Sequence, residues 1–99
     1  MNLGFIGTGQ IAKATILGIL SSNLRINQIY ISQRNKKISS QLSKKSKKII
    51  VLKDNQEIIN NSKWIFLSIT PEVGSKILKN LKNSYKILKI IETSYKMSI

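Results

Sequence analysis

Cysteine and histidine are both absent from this 99-residue chain. Their absence excludes disulfides, Cys/His metal sites, serine-histidine triads and imidazole acid-base chemistry, so we expect no metal centre. Acidic residues are nearly as rare, and a hydrolase built on paired carboxylates is therefore difficult to assemble. The four acids are scattered along the chain: Asp54, Glu57, Glu72 and Glu92. Any catalysis must come from elsewhere, and a bound cofactor is the natural source of it.

A long uninterrupted hydrophobic run is also lacking. The stretch from Leu3 to Leu20 is largely apolar, but Gln10 and Lys13 interrupt it. No positively charged segment precedes this stretch and no small-residue cleavage pattern ends it, as a signal peptide would require. We therefore expect no membrane segment and a cytoplasmic protein.

Positive charge dominates, with 17 Lys and Arg against four acids and a net charge of +13. Such a balance is typical of proteins that bind nucleic acid or anionic surfaces. However, only two of the basic residues are Arg, while 15 Lys, 19 Ile and 9 Asn fill 43 positions, a bias that an AT-rich coding sequence would produce. Because Arg is the usual residue for bidentate recognition of bases and phosphates, we favour the compositional explanation and do not expect a nucleic-acid partner.

Short apolar runs alternate with helical patterns along the whole chain. Strands are predicted at residues 2–6, 28–32, 49–52, 64–69 and 87–91. Helices are predicted after the first glycine turn, from Lys36 to Lys48 with Ile38 and Leu42 as a thin buried stripe, after a turn or cap at Asp54 and Asn55, and from Thr70 onward. This alternation predicts an α/β fold, with a doubly wound, Rossmann-like parallel sheet of about five strands in one domain spanning residues 1–99.

The first strand is followed by the motif Gly7-Thr8-Gly9-Gln10-Ile11-Ala12, which fits G-x-G-x-x-G/A. Its position between a strand and a helix is the context that a dinucleotide-binding motif requires. Gly7 permits the tight turn, Gly9 lets the backbone approach a pyrophosphate, and Ala12 allows the helix to pack closely on the strand. The motif predicts a nicotinamide dinucleotide cofactor.

The end of the second strand indicates which dinucleotide is bound. An NAD-binding domain usually places an acid there for the ribose 2′-hydroxyl, but this chain has Ser32-Gln33-Arg34-Asn35-Lys36. Hydroxyl, amide and cationic groups suit a 2′-phosphate, which favours NADP(H). The alternative is that Arg34 and Lys36 are two further solvated cations.

The fourth strand leads into the loop Ser68-Ile69-Thr70-Pro71. This loop is predicted at the carboxyl edge of the sheet, where open α/β sheets bind ligands, and could border the nicotinamide. The same residues also suit a plain helix start with Pro in its first position. Trp64 and Phe66 lie in the strand itself, and we expect both in the core.

Together these segments resemble the amino-terminal domain of the pyrroline-5-carboxylate reductase family. The resemblance spans nearly the whole chain and is carried by residues 3–14, 31–35, 54–55 and 65–71. It implies a domain that binds NADPH, whose hydride reduces the imine of 1-pyrroline-5-carboxylate to L-proline in amino-acid biosynthesis. By position, it implies that residues 6–11 (Ile6, Gly7, Thr8, Gly9, Gln10, Ile11) hold the pyrophosphate, that Ser32, Arg34 and Asn35 hold the 2′-phosphate, that Asn55 lies on the adenosine side, and that Ser68, Ile69, Thr70 and Pro71 lie on the nicotinamide side.

Two departures from the family pattern bear on activity. The family commonly has Lys before the Pro of the fourth-strand loop, whereas this chain has Thr70. Family members also continue into a helical domain that forms a homo-oligomer and completes the substrate site, whereas this chain stops at Ile99. We therefore expect a cofactor domain that lacks the helical dimerisation domain. The sequence does not identify catalytic residues in this domain. It also leaves open whether the domain is active by itself and which oligomeric state it adopts.

Three other interpretations remain. Hydroxyacid dehydrogenases, 6-phosphogluconate dehydrogenases and the enzymes that reduce deazaflavin cofactors with NADP open with similar glycine turns, and fold alone does not separate them. A non-enzymatic module could use the basic segment from Lys36 to Lys48 to bind a polyanion. A third possibility is an NADP-binding fragment with a regulatory role or none.

Overall fold

A computed structural model describes residues 1–7, 9–33 and 36–67 of the chain, together with the backbone of 90–92. Within these residues, strands and helices alternate as the sequence predicts. In chain order the elements are β1 (Asn2–Ile6), α1 (Gln10–Leu20), β2 (Gln28–Ser32), α2 (Lys36–Ser43), β3 (Ile49–Leu52), α3 (Asn55–Asn61), β4 (Trp64–Leu67) and β5 (Ile90–Glu92).

The strands form one parallel sheet in the order β3-β2-β1-β4-β5. The chain first moves outward from β1 to β3 and then crosses back to place β4 on the other side of β1. This is the topology of a doubly wound sheet, so the predicted Rossmann-like α/β fold is confirmed. The strand β4, predicted to lie inside the sheet, pairs with β1 on one side and β5 on the other.

The alternation of side chains along each strand divides the interior into two layers. Leu3 and Phe5 of β1 contribute to a core that α1 and α2 cover with side chains such as Ile16 and Leu42. Ile6 points to the opposite layer, where α3 supplies two fully buried side chains, Ile58 and Ile59. Helices on both faces explain why the described strands are apolar on both sides.

The two aromatic residues of β4 differ in their environment. Phe66 is partly buried and stacks on Phe5 of the adjacent strand, with ring centroids 4.6 Å apart and nearly parallel planes. Trp64 is 38% exposed, so the prediction that it lies in the core is wrong. It begins the strand, at the end of the sheet opposite the glycine turn.

Helix α2 is shorter than predicted, because it ends at Ser43 and not at Lys48. Its buried stripe is as predicted, with Ile38 at 5% exposure and Leu42 fully buried. Residues 44–45 and 47–48 form turns, and the Lys45 amide donates to the Leu42 carbonyl at 2.9 Å. These residues reverse the chain so that β3 can run parallel to β2, and a helix continued to Lys48 would leave no residues for that reversal.

The remaining boundaries follow the predictions closely. The bounds of β1, β2 and β3 coincide with the predicted runs, and β5 covers Ile90–Glu92 near the end of the last predicted run. β4 is described as far as Leu67, while the predicted continuation through Ile69 and the helix predicted from Thr70 lie outside the described residues. None of the described helices is long and apolar enough to cross a membrane.

Candidate functional site

The sheet has its topological switch point between β1 and β4. The connection after β1 leads toward β2 on one side, whereas β4 reaches the other side of β1 from the far edge of the sheet. Open α/β sheets bind ligands in the crevice outside the carboxyl ends of the strands at such a point. The glycine motif directly follows β1, so the switch point and the motif coincide.

Gly7 forms the turn that leaves β1. It is buried and its φ is 87°, a backbone conformation that side chains other than glycine rarely adopt. The turn therefore depends on glycine at this position, as the motif predicts. Ile6, just before it, is 1% exposed with its side chain in the α3 layer, so any contact of Ile6 with a cofactor has to come from its backbone.

Gly9 is the N-cap residue of α1, with φ −113° and ψ −167°. Among the residues that the structure describes, a Cβ built at Gly9 would meet nothing within 4 Å. The glycine thus leaves an open space in front of the first turn of the helix, into which a phosphate could approach the backbone closely. Allowed dihedrals show that glycine is not needed here for the conformation of the turn, and access to the backbone is the remaining physical reason for it.

The first turn of α1 suits an anion. It contains no acidic residue, and Gly9 offers no side chain to cap its amides. The amide groups at the start of a helix have no partners within the helix, and they carry a partial positive charge. Gln10 is exposed and Ile11 half-buried at this end, while Ala12 is fully buried against the sheet, which is the close packing that the third small residue of the motif predicts.

Ser32 lies beside the glycine turn, as the last residue of β2. Its Oγ accepts a buried hydrogen bond from the Gly7 amide at 3.2 Å, and the residue is only 6% exposed. The bond supplies a partner for an amide that the turn would otherwise bury unpaired. The predicted contact of Ser32 with a 2′-phosphate stays a prediction, and the structure adds a second role, in which Ser32 supports the turn.

Ser39 of α2 forms the next link. Its Oγ donates to the Ser32 carbonyl at 2.7 Å, and Ser39 is 3% exposed. Two buried hydrogen bonds therefore link α2 to the end of β2, and the end of β2 to the turn after β1. Sequence reasoning missed Ser39, although its position beside Ile38 and three residues before Leu42 places it on the buried stripe of α2.

An open depression of about 260 Å³ lies next to Ser39, between α2 and β3. Apart from Val51 its lining is polar, with one cationic side chain: Gln33, Lys36, Ser39, Ser40 and Ser43. Gln33 and Lys36 flank the segment to which the 2′-phosphate is assigned by resemblance. The surroundings of that segment thus offer hydrogen-bond donors and a positive charge, and no acid lies in α2 or β2.

Asn55, assigned to the adenosine side, is the first residue of α3 and is half-buried. Asp54 caps this helix, because its Oδ1 accepts from the Gln56 amide at 2.9 Å. The predicted turn or cap at Asp54 and Asn55 is thereby confirmed. Asn55 follows β3 at the same carboxyl edge of the sheet as the glycine turn and Ser32.

Several predicted site residues lie outside the described residues: Thr8, Arg34, Asn35, Ser68, Ile69, Thr70 and Pro71. The described ones follow the carboxyl ends of three neighbouring parallel strands or form the helix start beside them: Ile6, Gly7, Gly9, Gln10, Ile11, Ala12, Ser32 and Asn55. Their contacts with a cofactor stay predictions. The backbone geometry at Gly7 and Gly9 fits a bound dinucleotide.

Comparison with known proteins agrees with this geometry. Residues 2–94 match a family model described as "NADP oxidoreductase coenzyme F420-dependent". Searches of curated proteins and of solved structures give no significant match. The family match covers nearly the whole chain, including the glycine turn, the end of β2 and β4. The chain belongs to this family of NADP-dependent oxidoreductase domains.

Proposed function

We propose that this chain is the NADP(H)-binding domain of a reductase that acts on 1-pyrroline-5-carboxylate, yielding L-proline. The observation that carries the cofactor part of the proposal is the glycine turn, where a positive φ at Gly7 and an open space at Gly9 meet the first turn of α1. The imine part depends on the resemblance of residues 3–14, 31–35, 54–55 and 65–71 to the pyrroline-5-carboxylate reductases.

The chain's own residues bind and orient the cofactor in this proposal. Amides at the start of α1 receive the pyrophosphate, and residues after β2 receive the 2′-phosphate, which an acid at that position would repel. Bound NADPH supplies the hydride. In the balanced reaction the hydride adds to the imine carbon and a proton to the nitrogen, so that the C=N bond becomes a C–N single bond and NADPH becomes NADP⁺.

Such a reaction requires little from the side chains of this domain. An iminium carbon is already electrophilic, so orientation of the two reactants and a proton source matter more than a dedicated base. A chain without His and Cys is consistent with that requirement. It also agrees with a site built largely from backbone groups and serines.

The description of the family favours a second candidate, hydride exchange between NADP(H) and coenzyme F420, a deazaflavin. Both candidates use the same cofactor site and differ in what accepts the hydride. They are separated by incubating the chain with NADPH and either 1-pyrroline-5-carboxylate or oxidised F420, with loss of NADPH absorbance as the measurement.

The expected result is NADPH consumption with the imine only, either by the chain alone or after addition of the helical domain of a pyrroline-5-carboxylate reductase. Consumption with F420 only would replace the proposed substrate with the deazaflavin. Binding of NADPH without turnover under every condition would contradict the reductase assignment and leave a cofactor-binding module.

A further inference from the structure

The parallel sheet brings the amino ends of its strands to one edge, opposite the glycine turn. Backbone hydrogen bonds join the segments that precede the strands there. The amide of Ile29 donates to the Lys48 carbonyl at 2.8 Å, and the amide of Lys63 donates to the Asn2 carbonyl at 2.9 Å. A third bond, also of 2.9 Å, ties the segment before β2 to the one before β1. Residues far apart in sequence therefore lie side by side at this edge.

The edge is strongly cationic. The turn before β3 supplies four exposed lysines, and the segments before β2 and β4 each supply one more exposed cation. Asp54 and Glu57, the acids whose side chains the structure describes, lie at the start of α3, which follows the carboxyl end of β3. No described acidic side chain therefore offsets the charge. We call this set the amino-edge cations: Arg25, Lys44, Lys45, Lys47, Lys48 and Lys63.

Exposed hydrophobic side chains gather at the same edge. Among the described residues the large exposed ones are Met1, Leu24, Ile50 and Trp64. All but Ile50 precede a strand or begin one at the amino edge, and Leu24, beside Arg25, is the most exposed at 57%. A biased composition accounts for the number of lysines, but it does not account for their grouping with exposed apolar residues. Cationic and apolar side chains on one surface are typical of proteins that lie on a membrane.

An anionic lipid surface suits this edge better than a nucleic acid does. Of the six amino-edge cations only Arg25 carries a guanidinium, the group that recognises phosphates and bases in bidentate fashion. Lysines act as point charges, and near an anionic bilayer each cation strengthens binding about fivefold. Leu24 gains by leaving water for the lipid boundary, whereas a phosphate backbone offers it no apolar contact.

We propose that the amino-edge cations, together with Leu24, dock this domain on the surface of a membrane that contains anionic lipids. The cations contact the headgroups, and Leu24 enters the boundary between headgroups and acyl chains. The glycine turn lies at the carboxyl edge of the sheet and faces away from the bilayer in this arrangement. Docking therefore leaves the proposed cofactor site open and does not depend on a bound nucleotide.

The test is co-sedimentation of the full chain with vesicles of phosphatidylcholine alone, or with about one-third phosphatidylserine. We expect binding to the anionic vesicles only, and weaker binding when salt is raised from about 0.1 M to about 0.5 M, because salt screens the charges. In K47Q/K48Q the affinity should fall about 10- to 25-fold, the effect of two cations.

The matched control is K37Q/K53Q. It removes the same charge from two exposed lysines, one at the start of α2 and one just after β3, both toward the carboxyl edge. This variant should bind anionic vesicles as the parent chain does. Equal losses in the two double variants would show an effect of net charge alone and overturn the proposal.

L24S keeps every cation and tests the apolar part of the contact. We expect its affinity for the anionic vesicles to fall about three- to tenfold, since part of the leucine side chain no longer leaves water. All the substituted side chains are exposed, and circular dichroism checks that each variant is folded. Polyuridylate bound more tightly than the anionic vesicles, with L24S unchanged on both, would overturn the lipid assignment in favour of a nucleic acid.

Discussion

The amide of Gly7 donates a buried hydrogen bond to the Oγ of Ser32, 25 residues further along the chain and 3.2 Å away. The bond joins the turn after β1 to the end of β2, and thus the two segments expected to bind the pyrophosphate and the 2′-phosphate. Glycine provides the positive φ of the turn, and serine provides the acceptor for the amide that this turn buries. The site is therefore supported from within the sheet.

Removal of the Ser32 hydroxyl should weaken the turn. In S32A the Gly7 amide is left buried without this acceptor, at a cost of about 1–3 kcal/mol in the free energy of unfolding. Because the turn faces the part common to both nucleotides, the affinities for NADPH and NADH should fall together. Urea unfolding and calorimetry measure the two effects. A selective loss of NADPH affinity at unchanged stability would assign Ser32 to the 2′-phosphate alone.

Substitution of Gly9 should lower the affinity for NADPH without lowering the stability of the fold. A methyl group in G9A meets no atom of the described part of the chain within 4 Å, so we expect the melting temperature not to fall. The methyl would enter the space proposed for the pyrophosphate, where forced contact costs about 1–3 kcal/mol, or roughly five- to 150-fold in NADPH affinity.

Gly18 provides the control for G9A within the same helix. It is exposed, and its Cβ position is equally free of contacts from the described residues, so G18A should stabilise α1 by roughly 0.5–1 kcal/mol. NADPH affinity should stay unchanged in G18A. Identical NADPH affinity in G9A and G18A would count against the assignment of the pyrophosphate to this turn.

Gly4 should matter for stability alone. A Cβ at Gly4 would lie 2.6 Å from Ile58 Cγ2 and would also contact Ser62 Oγ, so the close approach of α3 to β1 requires glycine. We expect G4A to lower the free energy of unfolding by about 1–3 kcal/mol through overpacking. Chemical denaturation measures the loss, and a fully stable G4A would show that α3 does not pack against β1 in this way.

The sequence predicts most of the fold because local signals agree with it. The bounds of β1, β2 and β3 follow from apolar runs between polar turns, and the cap at Asp54 follows from its residue type before a helical pattern. The glycine turn is predictable for the same reason. The pattern G-x-G-x-x-A directly after a strand predicts both the backbone conformation of the turn and its place between a strand and a helix.

The remaining features depend on contacts between distant parts of the chain. The serine at position 39 has the same polar pattern as its exposed neighbour Ser40, and only the packing of α2 on the sheet makes it a buried donor to Ser32. Helix α2 ends at Ser43 because residues 44–48 are needed to reverse the chain toward β3. Trp64 is exposed at the amino end of β4, and an apolar run does not reveal which of its residues lies at such an end.

Asp54 should contribute to stability through its cap. In D54A the Gln56 amide loses the acceptor that lies 2.9 Å away, and the expected loss is about 0.5–2 kcal/mol in the free energy of unfolding. D54N keeps an oxygen in the same position and should retain most of the stability. Denaturation midpoints of the three chains test this order, and equal midpoints for D54A and D54N would contradict it.

The most direct test of the central claim is the titration of the purified full chain with NADPH and with NADH. Calorimetry is preferable to Trp64 fluorescence, because Trp64 lies at the amino end of β4 and the glycine turn follows the carboxyl end of β1. The account predicts saturable binding of both nucleotides, clearly tighter for NADPH. A chain that is folded by circular dichroism and binds neither nucleotide, or that binds NADH more tightly, would contradict the account.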